Sequence, residues 1–232
     1  MTNLQKESKM NHFNRQLQQA LDNIQEDINR YLKIGYDLDD VLADLDQILR
    51  QRLSKLVQRY ISKPERTSFY FEDIPTILQK LGLTKEQLGP LVVDCFKHIS
   101  MDKLPAVESA IRTIKNLQKD GHTIIIITAR SKKQEATTKH WLNNMGLKGI
   151  QIFFAGSGPI RTAPKNSKAK IARLLKLDYF IDDSTENLEQ FTRTGQHKLT
   201  TPIAYTQPWN RDWRGPRIST HDETQNLLNK LE

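Results

Sequence analysis

Apolar residues recur at helical spacing through Phe13, Leu17, Leu21, Ile24, Ile28 and Tyr31, which predicts an amphipathic leader helix ahead of the first core strand. The short apolar lead at 33–36 reads as that strand. Leu42, Leu45, Leu49, Leu53, Leu56 and Tyr60 then form one helical stripe that ends near Pro64, and Thr84 with Gln87 makes a capping-box start for a helix running toward His98. Beyond Pro105 the chain alternates regularly. A helix through Lys119 is closed by Gly121, and Gly121-His-Thr-Ile-Ile-Ile-Ile-Thr-Ala-Arg130 reads as a fully buried β-branched strand. A helix over 134–145 stops at Gly146, a strand follows at 150–155, and 157–167, with Gly158, Pro159 and Pro164, is a loop. A basic helix over 167–176 and strands at 179–182 and 203–205 complete the set. The pattern predicts an α/β fold: a five-stranded parallel sheet with helices on both faces and a helical segment inserted after the first strand.

With 232 residues the chain is long enough for one substantial core plus an insertion and too short for two large domains. Mean hydropathy is −0.62, and the longest aliphatic run, Ile124 to Ile127, is far below a membrane span, so no membrane partner is expected. The first thirty residues carry Glu7, Asp22, Glu26 and Asp27 and lack an apolar core segment, so no secretory signal is read there. The single cysteine, Cys95, is taken as a small buried hydrophobe on a helix, which makes a reducing cytoplasm the default setting. The net charge of +8 is concentrated: between Arg130 and Lys176 stand eleven basic residues against the single acid Glu135. Such a window would attract anionic substrates; a nucleic-acid footprint is the rival reading, and a solvated basic face is the favoured one for lysines far from the motifs.

The candidate chemistry lies at strand ends. Asp37 and Asp39 are spaced by one residue at the end of an apolar lead, so an extended backbone would direct both carboxylates to one side. Paired carboxylates repel unless a cation or a shared proton relieves them; the plain alternative is an Asp-rich turn that ends a strand and caps a helix. The β-branched strand stops at Thr128, whose hydroxyl and neighbouring N–H groups suit a phosphate. Asp178-Tyr-Phe-Ile-Asp-Asp-Ser184 is another apolar strand ending in a carboxylate pair, Asp182 and Asp183, and the helix before it carries Lys168 and Lys170.

That order of an Asp-x-Asp strand end, a Ser/Thr strand end, a lysine and an acidic strand end resembles the haloacid dehalogenase superfamily of phosphotransferases. The resemblance covers roughly 33–210. Within the superfamily the chain looks most like the 5'(3')-deoxyribonucleotidases, also grouped as 5'-nucleotidase type C, on Asp37-Leu-Asp-Asp-Val-Leu-Ala-Asp44, Leu104-Pro-Ala-Val107, Ile127-Thr-Ala-Arg130, Ile181-Asp-Asp-Ser184 and Pro208-Trp-Asn-Arg211. It implies a Rossmann-like core at 33–44 and 104–232, a helical cap at 45–103, and an extension at 1–32 that is either a strut on its own core, the reading favoured by so short a heptad pattern, or a helix for a homodimer. It also implies hydrolysis of a small phosphomonoester, a nucleoside 5'- or 3'-monophosphate in its deoxy form, with Mg²⁺ as cofactor. A capped site argues against long nucleic acids as substrates.

The resemblance assigns roles by position. Asp37 would be the nucleophile that takes the phosphoryl group, and Asp39 the acid and base, its backbone carbonyl binding metal. Asp182 would complete the metal site, with Asp183 acting through water. Thr128 and the Ala129 N–H would hold phosphoryl oxygens, with Lys168 offsetting their charge and Lys170 as its alternate; Arg130 would touch the phosphate or anchor its own loop. Asp40 stands where the deoxyribonucleotidase motif commonly has Gly, and Val41 where many phosphatases have Thr; Asp40 and Asp44 read more simply as acids at a helix N-terminus. Phe69, Tyr70, Phe71 and Phe96 are candidates to stack on a base, each more simply cap packing, and Trp209 and Trp213 read as packing beside the last strand. Other readings are a phosphatase of another small metabolite, a nucleic-acid end phosphatase, or an inactive relative used as a binding module.

Overall fold

The computed structural model describes residues 15, 18–19, 31–68, 75–97, 99–156, 167–192 and 200–231. The chain divides into two units, Met1–Leu32 and Lys33–Glu232. In the first, Arg15, Gln18 and Gln19 are helical and exposed, while Phe13, Leu17, Leu21, Ile24 and Ile28 of the expected leader stripe lie outside the described residues.

The second unit is built on a parallel sheet of six strands: β1 (Lys33–Tyr36), β2 (Thr123–Ser131), β3 (Gln151–Gly156), β4 (Tyr179–Asp182), β5 (Thr201–Tyr205) and β6 (Arg217–Ile218), in the order β3-β2-β1-β4-β5-β6. All five expected strands are present. The sixth escaped sequence reading because two residues carry no periodicity; it is defined by its pairing, Ala204 with Arg217 and Tyr205 with Ile218. Buried β-branched residues at Ile124 to Ile127 explain why β2 occupies an interior position, flanked on both sides by other strands.

Helices α1 (Leu45–Val57), α2 (Pro75–Leu81) and α3 (Lys85–Lys97) fall between β1 and β2, followed by α4 (Glu108–Lys119). The remaining helices are α5 (Glu135–Asn144), α6 (Ser167–Leu174), α7 (Thr185–Thr192) and α8 (Thr224–Leu231). Asp44 caps α1 by accepting from the Gln47 N–H at 2.9 Å, as expected for an acid at a helix N-terminus. The α1 stripe departs from expectation at its end. Leu45, Leu49 and Leu53 are buried, but Leu56 is 47% exposed; Val57, a step of four from Leu53, is buried instead, and past the helix end Tyr60 is 74% exposed while Ile61 is buried. Cys95 is on a helix, α3, but half-buried rather than buried.

Two backbone hydrogen bonds join the ends of the inserted segment, Asp44 N–H to Pro105 C=O and Val107 N–H to Leu42 C=O, both 2.8 Å. On one face of the sheet Ile125, Ile127 and Phe180 pack with Ala169, Ala172, Leu177 and Phe191, and the Phe180 and Phe191 rings stack at 5.1 Å. Gly35 lies beneath this cluster. A Cβ there would fall 2.4 Å from Phe180 Cδ2 and 2.6 Å from Leu177 Cδ1, so the absence of a side chain lets Phe180 lie against β1.

Gly35→Ala should therefore destabilise the chain by about 1–3 kcal/mol, the usual range for overpacking a filled core. Urea unfolding measures it; an unchanged midpoint would show that Phe180 can move aside.

Candidate active site

The acidic motifs meet because their strands are neighbours. Asp37 is the first residue past β1, and its N–H continues the ladder to the Ile181 carbonyl of β4 at 2.8 Å. Asp182 ends β4 and Asp183 follows it. From β1 the chain goes to β2 on one side, and β4 lies on the other, so the strand order reverses there; crevices beyond the strand ends at such a point are where open α/β sheets place ligands.

Lys168, from α6, reaches into this point. Its Nζ lies 2.8 Å from Asp37 Oδ2 and 2.8 Å from Asp182 Oδ2, and all three residues are buried. Lys170, two residues on, is exposed. Burial opposes the lysine's charge, but the Asp182 and Asp37 carboxylates outweigh it and push its pKa up. One cation does not balance the site. Carboxylate oxygens of Asp37, Asp182 and Asp183 lie within 4.8 Å of one another, and Asp37 Oδ1 and Asp183 Oδ1 are buried with no hydrogen-bond partner. Burial pushes the Asp37 pKa up to about 7, with Lys168 opposing and Asp182 adding to the rise; burial, then Asp40 and Asp182, raises Asp183 well above the carboxylate range. Two orphaned oxygens beside a third carboxylate are an oxygen donor set of the kind Mg²⁺ takes, so the residues fit the expected ion.

Asp39 is turned to a different partner. Arg130 holds it in a fork, Nε to Oδ2 at 2.9 Å and Nη2 to Oδ1 at 2.6 Å, while Arg130 Nη1 donates to Thr138 Oγ1 at 3.1 Å. The Arg130 side chain thus ties the turn after β1, through Asp39, to α5, through Thr138. The Arg130 N–H donates to Thr128 Oγ1 at 3.1 Å, so the buried Thr128 hydroxyl keeps its own proton to give. Ala129 is exposed at the end of β2. Asp40 takes a left-handed φ of 61°; its Oδ1 accepts from the Asp46 N–H at 2.6 Å and its Oδ2 from Arg66 Nη1 at 3.0 Å. The expected helix-terminus role is therefore joined by an ion pair. Burial, against the pull of Arg66, raises its pKa to about 6.

Sequence reading missed the residues that hold these carboxylates. Asp182 Oδ1 accepts from the Ser184 N–H at 2.8 Å, and Asn187 Nδ2 approaches both Asp182 oxygens at 3.2 and 3.1 Å. In the turn after β5, Gln207 Nε2 donates to the Asp40 carbonyl at 3.2 Å, Trp209 Nε1 to Asp183 Oδ2 at 2.9 Å, and Asn210 Nδ2 to the Asp183 carbonyl at 2.9 Å. Trp209 is thus more than a packing residue, whereas Trp213 packs with Leu188 and Ala204 as expected. The Pro208-Trp-Asn run was a visible signal, but nothing in it says where an indole N–H will point. Phe69, Tyr70, Phe71 and the side chain of Phe96 lie outside the described residues.

No protein-family model matches the chain. Two curated relatives align over most of it. One, described as a "putative nucleotidase" of Oceanobacillus iheyensis, is 28% identical over 199 residues, 85% of this chain and 100% of the relative. The other, with the same description, is from Bacillus cereus and is 29% identical over 202 residues, 86% of this chain and 99% of the relative. Among solved structures, a haloacid dehalogenase-like protein of unknown function from Agrobacterium tumefaciens superposes with a TM-score of 0.60 at 16% identity, covering 87% of this chain and 99% of that one. A haloacid dehalogenase family hydrolase from Deinococcus radiodurans, solved with bound phosphate and sodium, gives 0.57 at 16% identity, covering 87% and 96%.

A divalent cation should stabilise the protein more at pH 8 than at pH 5.5. The raised pKa of Asp37 makes its neutral form the stabilising one, a contribution present at low pH and lost as pH rises through about 7. The cation favours the ionised form and competes with that proton. Thermal unfolding with Mg²⁺ and with chelator at both pH values measures the difference; equal increments would mean that no proton is displaced.

Proposed function

We propose that this chain, whose sheet is that of the haloacid dehalogenase hydrolases, is a Mg²⁺-dependent phosphomonoesterase acting on nucleoside 5'- or 3'-monophosphates, with a preference for deoxy forms. The observation that carries the reaction class is Lys168 between Asp37 and Asp182, with Asp37 Oδ1 and Asp183 Oδ1 left unpartnered. Such a centre has one positive charge in place and oxygen donors to spare. The nucleotide substrate draws support from the descriptions of the two curated relatives and from the Asp37–Asp44 and Thr128–Arg130 motifs. A single cysteine, Cys95, agrees with a cytoplasmic setting.

An oxygen of Asp37 attacks phosphorus, the ester P–O bond breaks, and Asp39, which takes up a solvent proton once it has parted from Arg130, gives that proton to the departing alkoxide. In the second half a water attacks the aspartyl-phosphate, Asp39 takes the water's proton, and inorganic phosphate leaves with the Asp37 carboxylate restored. Asp37, Asp182, Asp183 and the Asp39 carbonyl would hold Mg²⁺, which supplies charge neutralisation at the phosphoryl oxygens. The Thr128 hydroxyl and Lys168 orient and offset the transferring group. Arg130 occupies both Asp39 oxygens, so Asp39 must part from it to reach a leaving group; an arriving phosphate dianion competes for that guanidinium and frees it. The helices at 45–103 would form a cap over the strand ends, hinged at the paired junctions Leu42–Asp44 and Pro105–Val107.

The test is phosphate release from ribo- and deoxynucleoside monophosphates and sugar phosphates, with Mg²⁺ and with chelator. Deoxynucleotides should be turned over best and only with the cation. Asp37→Asn should reduce turnover to background, and Asp39→Asn should slow it by about 10²–10⁴-fold. Turnover confined to sugar phosphates would discard the nucleotide substrate; full activity in Asp37→Asn would discard the site.

A further inference from the structure

Arg66 comes from the segment inserted after β1, not from the sheet, yet it touches the acidic turn after β1 directly and reaches the one after β4 through Trp209. Its Nη1 lies 3.0 Å from Asp40 Oδ2 and 3.1 Å from Asp46 Oδ1, with all three side chains buried. Arg50 Nε, partly buried, pairs with the other oxygen of Asp46 at 2.7 Å, so two acids and two guanidinium groups balance one another. The guanidinium of Arg66 also lies over the Trp209 ring, its Cζ 3.6 Å from the centroid, and the same indole donates Nε1–H to Asp183 Oδ2.

On the footing of the cation centre proposed above, we propose that Arg66 is a positioning residue: it fixes the turn that carries Asp37 and Asp39 through Asp40, and aims Asp183 through Trp209. Asp40 then has a reason to stand at a left-handed φ of 61° that glycine would adopt freely: its carboxylate is the handle by which Arg66 grips the turn. Trp209 can present its N–H to one Asp183 oxygen only while its ring plane is held, and the overlying guanidinium holds it. The other Asp183 oxygen is thereby directed, unpartnered, at the cation position. Arg66 touches neither substrate nor reacting atoms, so its influence is felt in the affinity for the ion.

The experiment is the Mg²⁺ dependence of thermal unfolding, without substrate, for the wild type, Arg66→Lys, Trp209→Phe and the double variant. Lysine keeps the charge and loses the planar guanidinium over the ring; phenylalanine keeps a ring and loses the N–H. Each single variant should raise the Mg²⁺ midpoint about tenfold, the lower range for a residue that orients a metal ligand. The double variant should add less than about threefold to the larger single effect, because both act along one path. An Arg66→Lys midpoint within about twofold of the wild type, or single effects that multiply in the double variant, would overturn the inference while leaving the cation centre intact. No stabilisation of the wild type by Mg²⁺ would overturn the centre and this inference together. If Arg66→Lys does not fold, the charge-balanced pair Asp40→Asn/Arg66→Met takes its place, with the same shift expected and an unchanged midpoint counting against the proposal.

Discussion

The placement of one lysine between two buried carboxylates governs the rest of this site. Asp37, Asp182 and Asp183 converge because β1 and β4 are neighbours, and burying three acids together is costly unless cations sit among them. Lys168 reaches Asp37 and Asp182 at 2.8 Å each and answers part of that cost. The remainder appears as raised carboxylate pKa values and as two oxygens without partners. Such unbalanced negative charge is what a further cation would relieve.

The second constraint is geometric. Carboxylates at strand ends are on turns, and turns move unless something ties them. Here the turn after β5 does the tying: Gln207, Trp209 and Asn210 reach the Asp40 carbonyl, the Asp183 side chain and the Asp183 carbonyl. Asn210 also accepts the Gln207 N–H at 3.0 Å, so the tie is itself closed. The inserted segment adds Arg66 over the ring of Trp209. Both acidic loops are therefore held from parts of the chain that carry no acid of their own in the cluster.

Basic charge plays two different parts. Lys168 and Arg130 are buried and specifically paired, and their positions are set to within hydrogen-bond distance. Lys132 and Lys139 are exposed and flank Glu135 at 2.7 and 2.8 Å, contacts that pull its carboxyl down to about 2. Exposed pairs of that kind contribute little to stability, and their charge is available to an approaching anion over about a Debye length.

Periodicity carried the sheet because β2 and β4 are runs of buried β-branched or aromatic residues, and the strands beside them still carry an apolar core. It ran out where a two-residue strand exists only through its partner, and where the α1 stripe turned from Leu56 to Val57. The order of Asp37, Thr128, Lys168 and Asp182 was legible for a related reason: strand ends and helix starts fix where those side chains begin. What they meet was not. That Arg130 grips Asp39, and that Trp209 and Arg66 support Asp183 and Asp40, depend on contacts between residues far apart in the chain. A single sequence records residue types along a line, while charge balance and hydrogen-bond direction are settled only when the line is folded and water is excluded.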